Sequence, residues 1–240
     1  MNSGWTGKVM GFLTYLTQIV ILNFLWIAGT VLGGGVLGFA PATGSVSRLI
    51  TALTLGEPAG NPWTEFWTHY FRTFWRTNAK AWPFTVLFAL AGADLLAFRA
   101  ASLQGMSGAG AMLAPFIVVA LGCVVAFAFF NAALLRFDDS PWATVKFAFM
   151  SPIAFLPASF AIILVNLAFV MATWQLPLLV VLVGFSAPIG LSVVVAGSSL
   201  DRAYGAGFLA GDTLLDEAHT QWAKRAAARA EYAQSQRNAL

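Results

Sequence analysis

Five long apolar stretches, separated by short polar connections, constrain this chain more than any other feature of its sequence. Each stretch is about 20 residues or longer, the length that an α-helix needs to cross about 30 Å of hydrocarbon. The pattern therefore predicts membrane spans. They lie at residues 9–39, 82–101, 112–135, 153–173 and 176–200.

The composition also favours a helical membrane protein. Hydrophobic residues make up 59% of the chain and charged residues 10%, whereas soluble domains carry about 25% charged residues. Open sheets would leave backbone groups unpaired in lipid, and a closed barrel would show alternating rather than continuous apolar segments. We predict an all-α fold, a polytopic transmembrane helical bundle of about five spans, with one domain over 1–201 and a cytoplasmic tail over 202–240.

The first apolar stretch is longer than one crossing requires. A straight helix from Gly11 to Gly38 would extend about 42 Å, so tilt or a break must absorb the excess. The three consecutive glycines at 33–35 are the predicted position of a break. Residues 38–44 are rich in Gly, Pro and Ala and are predicted to form a turn-rich exit from the membrane.

Basic residues are distributed unevenly among the connections. Eleven of the thirteen lie after the first, third and fifth stretches, and only Lys8 and Arg99 fall on the other side. The positive-inside rule then places the N-terminus outside and the C-terminus in the cytoplasm. The net charge of +3 is therefore interpreted as topology, and no basic patch with the spacing of a nucleic-acid recognition module is present.

Residues 63–82 form the most regular pattern in the chain. Aromatic residues recur at helical spacing on one face, and basic residues lie on the opposite face. This pattern is typical of an amphipathic helix at a cytoplasmic membrane surface, where it contacts lipid as an anchor or docks a partner protein. Asn61 and Pro62 are predicted to start this helix, and Pro83 to bend it into the second span. The residues proposed to contact lipid or a partner are Trp63, Trp67, Arg72, Arg76 and Lys80.

Three polar residues lie deep within the apolar stretches, where polar side chains often mark a function. They are Asn23, Asp94 and Asn166. One hypothesis is that they converge at mid-depth to bind a polar solute or a proton. The alternative is that they only form hydrogen bonds between helices, each worth about 0.6 kcal/mol.

The sequence carries no recognisable catalytic constellation. Its two histidines, His69 and His219, lie outside the apolar stretches, and no phosphate-binding glycine loop or Cys/His metal spacing is present. Cys123 is the only cysteine, so no internal disulfide can form. We expect a non-enzymatic protein with no cofactor and no metal site.

Two segments resemble the YesL-like family, bacterial integral membrane proteins that form a domain of unknown function. They are Leu22-Asn23-Phe24-Leu25-Trp26 and Gly38-Phe39-Ala40-Pro41-Ala42-Thr43, with Ala40 where the family pattern has Gly. The resemblance covers the first 90 residues well. It implies a bundle of five or six helices in the bacterial cell (inner) membrane and an association with carbohydrate ABC importers. It also marks the motif positions Asn23, Trp26, Pro41 and Thr43.

Three functional hypotheses follow. The first is an accessory protein of a carbohydrate ABC importer, which contacts importer subunits through its cytoplasmic helices. The second is a small autonomous carrier or channel for a polar solute, in which self-association supplies any missing elements. The third is a membrane sensor or scaffold without transport.

Overall fold

The structure is a computed structural model that describes residues 5–56, 60–103, 109–205, 207 and 212–238. Parts of the predicted domain and tail, at 1–4, 57–59, 104–108, 206, 208–211 and 239–240, lie outside the described residues. All regular structure in the described ranges is helical. The helices are α1 (Trp5–Leu32), α2 (Val36–Thr54), α3 (Pro62–Leu103), α4 (Ala109–Leu134), α5 (Pro141–Ala154), α6 (Leu156–Gln175), α7 (Leu178–Leu182), α8 (Ser186–Tyr204) and α9 (Thr213–Asn238).

The prediction of an all-α, polytopic bundle is confirmed. Five helices of the described chain are long and apolar enough to cross a membrane, which is compatible with a multi-pass membrane protein. Their identity differs in part from the predicted set. The five are Leu13–Leu32, Val36–Thr54, Pro62–Leu103, Phe116–Leu134 and Leu156–Gln175.

The first predicted span is two helices that form an antiparallel hairpin. The break expected at residues 33–35 is present, and Gly34 and Gly35 have φ angles of 71° and 78°, which favour glycine. The prediction of a turn-rich exit at 38–44 is wrong, because these residues belong to α2. A Cβ atom at Gly38 would lie 2.5 Å from the Gly29 carbonyl oxygen, so the absence of a side chain at Gly38 permits the close contact of α1 and α2.

Helix α2 forms the centre of the molecule. It packs against α1, α3, α4, α8 and α9, and most of its residues are buried. Small residues make up much of its surface and let neighbouring helices approach closely, as in other membrane bundles. Its length and composition also make it one of the five helices able to span a membrane.

Helix α3 is one continuous helix of 42 residues rather than an interfacial helix followed by a separate span. The predicted start is confirmed, because Asn61 Oδ1 accepts hydrogen bonds from the backbone N–H groups of Trp63 at 3.1 Å and Thr64 at 3.4 Å. Pro83 lies inside the helix and does not end it. The predicted boundary at residue 82 is therefore not a boundary in the fold.

The last predicted span is also divided. The short helix α7 ends at Leu182, and α8 begins at Ser186 after a turn that contains Gly184. Helix α8 packs on α4, α6 and α2. It is not among the five helices that are long and apolar enough to cross a membrane.

Ion pairs join the ends of several helices into one charged end of the bundle. Arg48 of α2 pairs with Glu65 of α3 and with Asp212, which precedes α9. Arg136, after α4, pairs with Asp201 of α8 at 2.7 Å. The beginning of α9 packs into the same core, where Leu215 and Ala218 are fully buried. The start of α9, within the segment predicted as a tail, therefore packs against the bundle.

Candidate functional site

The motif residue Asn23 clamps the turn between α7 and α8. Its Nδ2 donates to the carbonyl oxygens of Val180 at 3.2 Å and Val181 at 2.7 Å. Its Oδ1 accepts from the backbone N–H groups of Phe185 at 2.9 Å and Ser186 at 3.0 Å. The side chain is fully buried, and these four bonds use both its donors and both acceptor positions.

Two other motif residues join α1 to α2. The indole N–H of Trp26 donates to Thr43 Oγ1 at 3.0 Å, and the Thr43 hydroxyl donates to the Phe39 carbonyl oxygen at 2.8 Å. The Trp26 ring stacks on Phe185, with 4.4 Å between ring centroids. Pro41 is buried inside α2, two residues before Thr43. The motif positions therefore assemble the junction of α1, α2 and α8.

An apolar cavity of about 380 Å³ lies beside this junction. Asn166 of α6 lines it, and the Asn166 Nδ2 donates to the Ile162 carbonyl oxygen and to Ser192 Oγ, both at 2.9 Å. The remaining lining is mostly aromatic and aliphatic. It includes Trp26, Phe39, Thr43, Phe88, Phe127, Asn131, Phe169, Thr173, Gly184, Phe185 and Ser192.

A second cavity of about 380 Å³, which we call the basic cavity, lies at the charged end. One stripe of α3 lines it, because positions three and four apart share a helix face. The opposite wall comes from α2, α4, the connection between α4 and α5, and the residues before α9. The stripe consists of His69, Arg72, Thr73, Arg76, Thr77 and Lys80, and the facing residues include Gly44, Asn131, Leu134, Leu135, Asp138 and Asp212.

Two of the three predicted contact cations are engaged within the fold. Lys80 is 3% exposed, and its Nζ donates to the Asp139 carbonyl oxygen at 2.7 Å. Arg76 forms an ion pair with Asp138. Arg72 is exposed and makes no hydrogen bond or ion pair with any residue that the structure describes. The basic stripe therefore faces a cavity that the chain itself encloses in part.

The aromatic face of the predicted interfacial helix is divided between core and surface. Phe66 and Tyr70 are buried, and the Tyr70 hydroxyl donates to the Gly29 carbonyl oxygen at 2.8 Å. Trp63 is exposed, whereas Trp67 is half-buried against Phe66 and Tyr70. A second stripe stays exposed and suits a lipid interface or a protein surface. It consists of Phe71, Trp75 and Trp82, and Trp75 is 76% exposed.

Arg48 lies behind the wall of the basic cavity and pairs with two carboxylates, one of which lines the cavity. It is 4% exposed, and its Nε and Nη2 donate to both carboxylate oxygens of Asp212, while its Nη1 donates to Glu65 at 2.9 Å. Burial alone would raise the pKa of the Asp212 carboxyl, but the hydrogen bonds and positive charge of Arg48 hold it below its ordinary value. Nearby, Ser45 Oγ and His69 Nδ1 share a hydrogen bond of 3.0 Å.

Among the described residues, Asn131 of α4 alone lines both cavities. Its Nδ2 donates to the Phe127 carbonyl oxygen at 2.8 Å. Its Oδ1 is buried and has no hydrogen-bond partner among the described residues, although a buried amide oxygen normally has one. A buried acceptor is thus present on the one described residue that the two cavity walls share.

The three mid-membrane residues selected from the sequence do not form one cluster. Asn166 lines the apolar cavity, and Asn23 contacts Val180 and Phe185 in its wall. Asp94 lies on α3, is half-buried, and lines neither of the two cavities. Within the described residues it forms no hydrogen bond or ion pair. Across the same residues, no group of three or more His, Cys, Asp or Glu is placed to hold a metal ion.

Arg48, Asn131 and Asp212 complete the site but are not among the residues selected from the sequence. Asn131 carried a usable signal, because it is a polar residue inside the apolar stretch 112–135. Arg48 and Asp212 carried none, since they are 164 residues apart and pair only through the tertiary fold.

Comparison with known proteins gives a family match for part of the chain. No curated protein matches it. No solved structure matches it either. Residues 19–95, less than half of the chain, match the model of a family described as "Protein of unknown function, DUF624". The matched segment contains the Asn23 clamp, the junction of Trp26 with Thr43 and the basic stripe of α3, so over these elements the chain is similar to an uncharacterised family.

Proposed function

We propose that this protein is a small membrane carrier or channel, with the apolar cavity and the basic cavity as two halves of its solute path. The observation that carries this proposal is the position of Asn131. It lines both cavities, each of about 380 Å³, and its buried amide oxygen has no hydrogen-bond partner among the described residues. An unsatisfied buried acceptor costs about 1–3 kcal/mol, and a passing solute with a hydrogen-bond donor removes that cost.

The polar residues of this path differ from those selected on the sequence. Asn23 has no hydrogen-bonding capacity left for a solute. Asn166 retains an Oδ1 that forms no hydrogen bond with a described residue, and it lines the apolar cavity. Asn131 and Asn166 are therefore the side chains assigned to contact the solute, and Asp94 is left out.

The proposed topology has six crossings, with both termini in the cytoplasm of a bacterial cell. The hairpin returns the chain to its starting side, because the Tyr15 hydroxyl of α1 donates to the Leu53 carbonyl oxygen near the end of α2. The pair of Arg136 with Asp201 brings the ends of α4 and α8 together, so α6 and α8 cross in opposite directions. This arrangement moves the N-terminus from outside to inside and leaves Arg99 as the one basic residue on the outer side, which agrees with the positive-inside rule.

Cysteine labelling from each side of the membrane tests the two half-paths. With Cys123→Ala as background, Thr73→Cys places a thiol at the basic cavity and Thr173→Cys places one at the apolar cavity. The probe is sulfonatoethyl methanethiosulfonate, a small anion that does not cross lipid. We expect Thr73→Cys to react only from the side of the C-terminus and Thr173→Cys only from the opposite side.

Two results would contradict the proposal. One is reaction of both thiols from the same side, and the other is failure of the probe to reach either thiol in protein that remains folded. A cysteine at exposed Lys146 serves as the positive control for the side of the C-terminus.

A second candidate function is an accessory role beside a carbohydrate ABC importer, as the resemblance to the YesL-like family suggests. The exposed stripe of Phe71, Trp75 and Trp82 favours it, because exposed aromatic residues in a row are typical of contact surfaces. Stoichiometric recovery of importer permease or ATPase subunits with the tagged chain, lost on changing Trp75 to Ser, would support this role. Recovery of the chain alone would reject it. Either role is non-enzymatic.

A further inference from the structure

We propose that the basic cavity is a binding site for an oxyanion group, such as phosphate, that also carries a hydroxyl or other hydrogen-bond donor. This inference deepens the proposed function by naming the class of solute. Its transport part rests on that function, whereas binding to the cavity does not.

The first observation is an excess of positive charge on the cavity wall. Each of the two lining carboxylates is already paired, Asp138 with Arg76 and Asp212 with Arg48. Arg72 and Lys80 remain without a carboxylate partner within hydrogen-bond distance among the described residues, and the charges of Asp138 and Asp139 act on Lys80 only at longer range. A bound oxyanion supplies the missing negative charge.

The burial of Lys80 makes this excess costly. Its side chain is 3% exposed, and the only described partner of the ammonium is the Asp139 carbonyl oxygen at 2.7 Å. An ammonium has three donors, so two of them are left for another acceptor. Buried charges in proteins are normally paired, and charge-assisted hydrogen bonds to phosphate are among the strong ones.

Neutral groups on the same walls complete the site. Thr77 lies on the α3 stripe, and its hydroxyl forms no hydrogen bond with a described residue. Asn131 offers the opposite polarity, since its buried Oδ1 is an acceptor and repels an anionic oxygen. The occupant therefore needs a donor beside its anionic group, a condition that hydrogen phosphate and phosphate esters of polyols meet.

Two sources can present this chemistry, a free solute and the headgroup of an anionic lipid. The cavity volume of about 380 Å³ accepts either.

The first probe is inorganic phosphate, titrated at neutral pH into the full chain in an uncharged detergent, with chloride at equal ionic strength as reference. The second probe is phosphatidylglycerol in nanodiscs, compared with phosphatidylcholine alone. The readout is the thermal unfolding midpoint, which a ligand of the folded state raises.

Arg72→Gln is the decisive variant, because Arg72 is exposed and forms no hydrogen bond or ion pair with a described residue, so we expect the variant to fold. Arg99→Gln is the matched control, since it removes an exposed arginine from the same helix outside the cavity. We expect phosphate to stabilise the wild type and Arg99→Gln, with an apparent affinity about tenfold weaker in Arg72→Gln. Lys80→Gln should abolish the effect if the variant folds.

Stabilisation by phosphatidylglycerol but not by phosphate, with the same dependence on Arg72, would identify the source as a lipid headgroup and support the site. Absence of stabilisation by both probes would overturn the inference, as would an equal loss in Arg99→Gln. Phosphate binding without probe entry from both sides would reject the carrier or channel alone. Probe entry without an Arg72-dependent effect would reject the anion site alone.

Discussion

The Asn23 side chain of α1 caps the N-terminus of α8, with its Oδ1 accepting the backbone N–H of Ser186 at 3.0 Å. Helix α8 has no side-chain cap of its own, and the first N–H groups of any helix lack partners within it. A residue 163 positions away in the sequence therefore supplies the cap. The Ser186 hydroxyl donates in return to the Ile19 carbonyl oxygen at 2.9 Å.

Changing Asn23 to Ala should destabilise the bundle by about 2 kcal/mol, because four backbone groups lose a hydrogen bond at once and the N–H of Ser186 among them is buried. Asn166→Ala is the matched control and should cost about 0.6 kcal/mol, since it removes one side-chain bond between helices. Unfolding by sodium dodecyl sulfate titration measures both. Equal losses of unfolding free energy in the two variants would show that the four hydrogen bonds of Asn23 contribute no more than the single interhelical bond of Asn166.

Acid should loosen the packing of α9 on α2 through Asp212. Because the folded-state pKa of this carboxyl is lowered, its stabilising effect is present above the unfolded value of about 3.9 and is lost as pH falls through the folded value. Asp212→Asn should lower the stability at pH 7 by at most about 3 kcal/mol and flatten its decline in acid. Thermal unfolding from pH 7 to pH 3 tests this, with the exposed Asp216→Asn as a control that should change neither quantity.

The contact of α8 with α2 should not tolerate a side chain at position 190. A Cβ atom at Gly190 would lie 2.4 Å from Ile50 Cδ1 and 2.7 Å from its Cγ2, and Ile50 is itself buried. Gly190→Ala should therefore destabilise the protein by about 1–3 kcal/mol.

Gly92→Ala provides the comparison for this substitution. Gly92 lies in α3, and a Cβ atom there would meet no atom of the described residues within 4 Å. Because Ala favours a helix over Gly by up to about 1 kcal/mol, this variant should be neutral or more stable. Stabilisation by both substitutions would mean that α8 does not pack closely on α2.

Much of the helical framework could be predicted from the sequence, because length and hydropathy are local properties. The breaks and caps that depend on one or two residues were also predictable. They include the break at the glycines 33–35 and the cap at Asn61. These features need no information about distant parts of the chain.

Helix α2 could not be predicted in the same way. Its Gly, Pro, Ser and Thr residues are typical of a loop, but in the centre of a bundle small residues permit close packing. Arg48 also favoured an exposed segment, because a charged side chain is rarely buried without partners. Its two carboxylate partners are brought to it only by the tertiary fold. The apolar stretch at 176–200 predicted one continuous span, because its hydropathy shows no interruption. The turn between α7 and α8, which Asn23 holds, leaves no mark in that pattern.

The candidate site could also be predicted only in part from the sequence. The basic stripe of α3 was visible in the sequence, but hydropathy gave no sign that Lys80 is buried and faces a cavity. The predicted convergence of Asn23, Asp94 and Asn166 assumed that residues at equal depth meet. Packing places Asn166 in the wall of the apolar cavity and Asn23 against two residues of that wall, and it leaves Asp94 apart from the cavity.

Removal of the Asn131 side chain tests the continuity of the path most directly. In the Cys123→Ala, Thr173→Cys background, sulfonatoethyl methanethiosulfonate is added from the side of the C-terminus, and the rate of thiol modification is compared between Asn131 and Asn131→Gly. We predict that the glycine variant reacts at least about tenfold faster, because the side chain between the two cavities is gone. Asn78→Gly, the matched change of a helical asparagine that lines neither cavity, should leave the rate unchanged. An unchanged rate in folded Asn131→Gly would contradict a continuous path and, with it, the proposed carrier or channel.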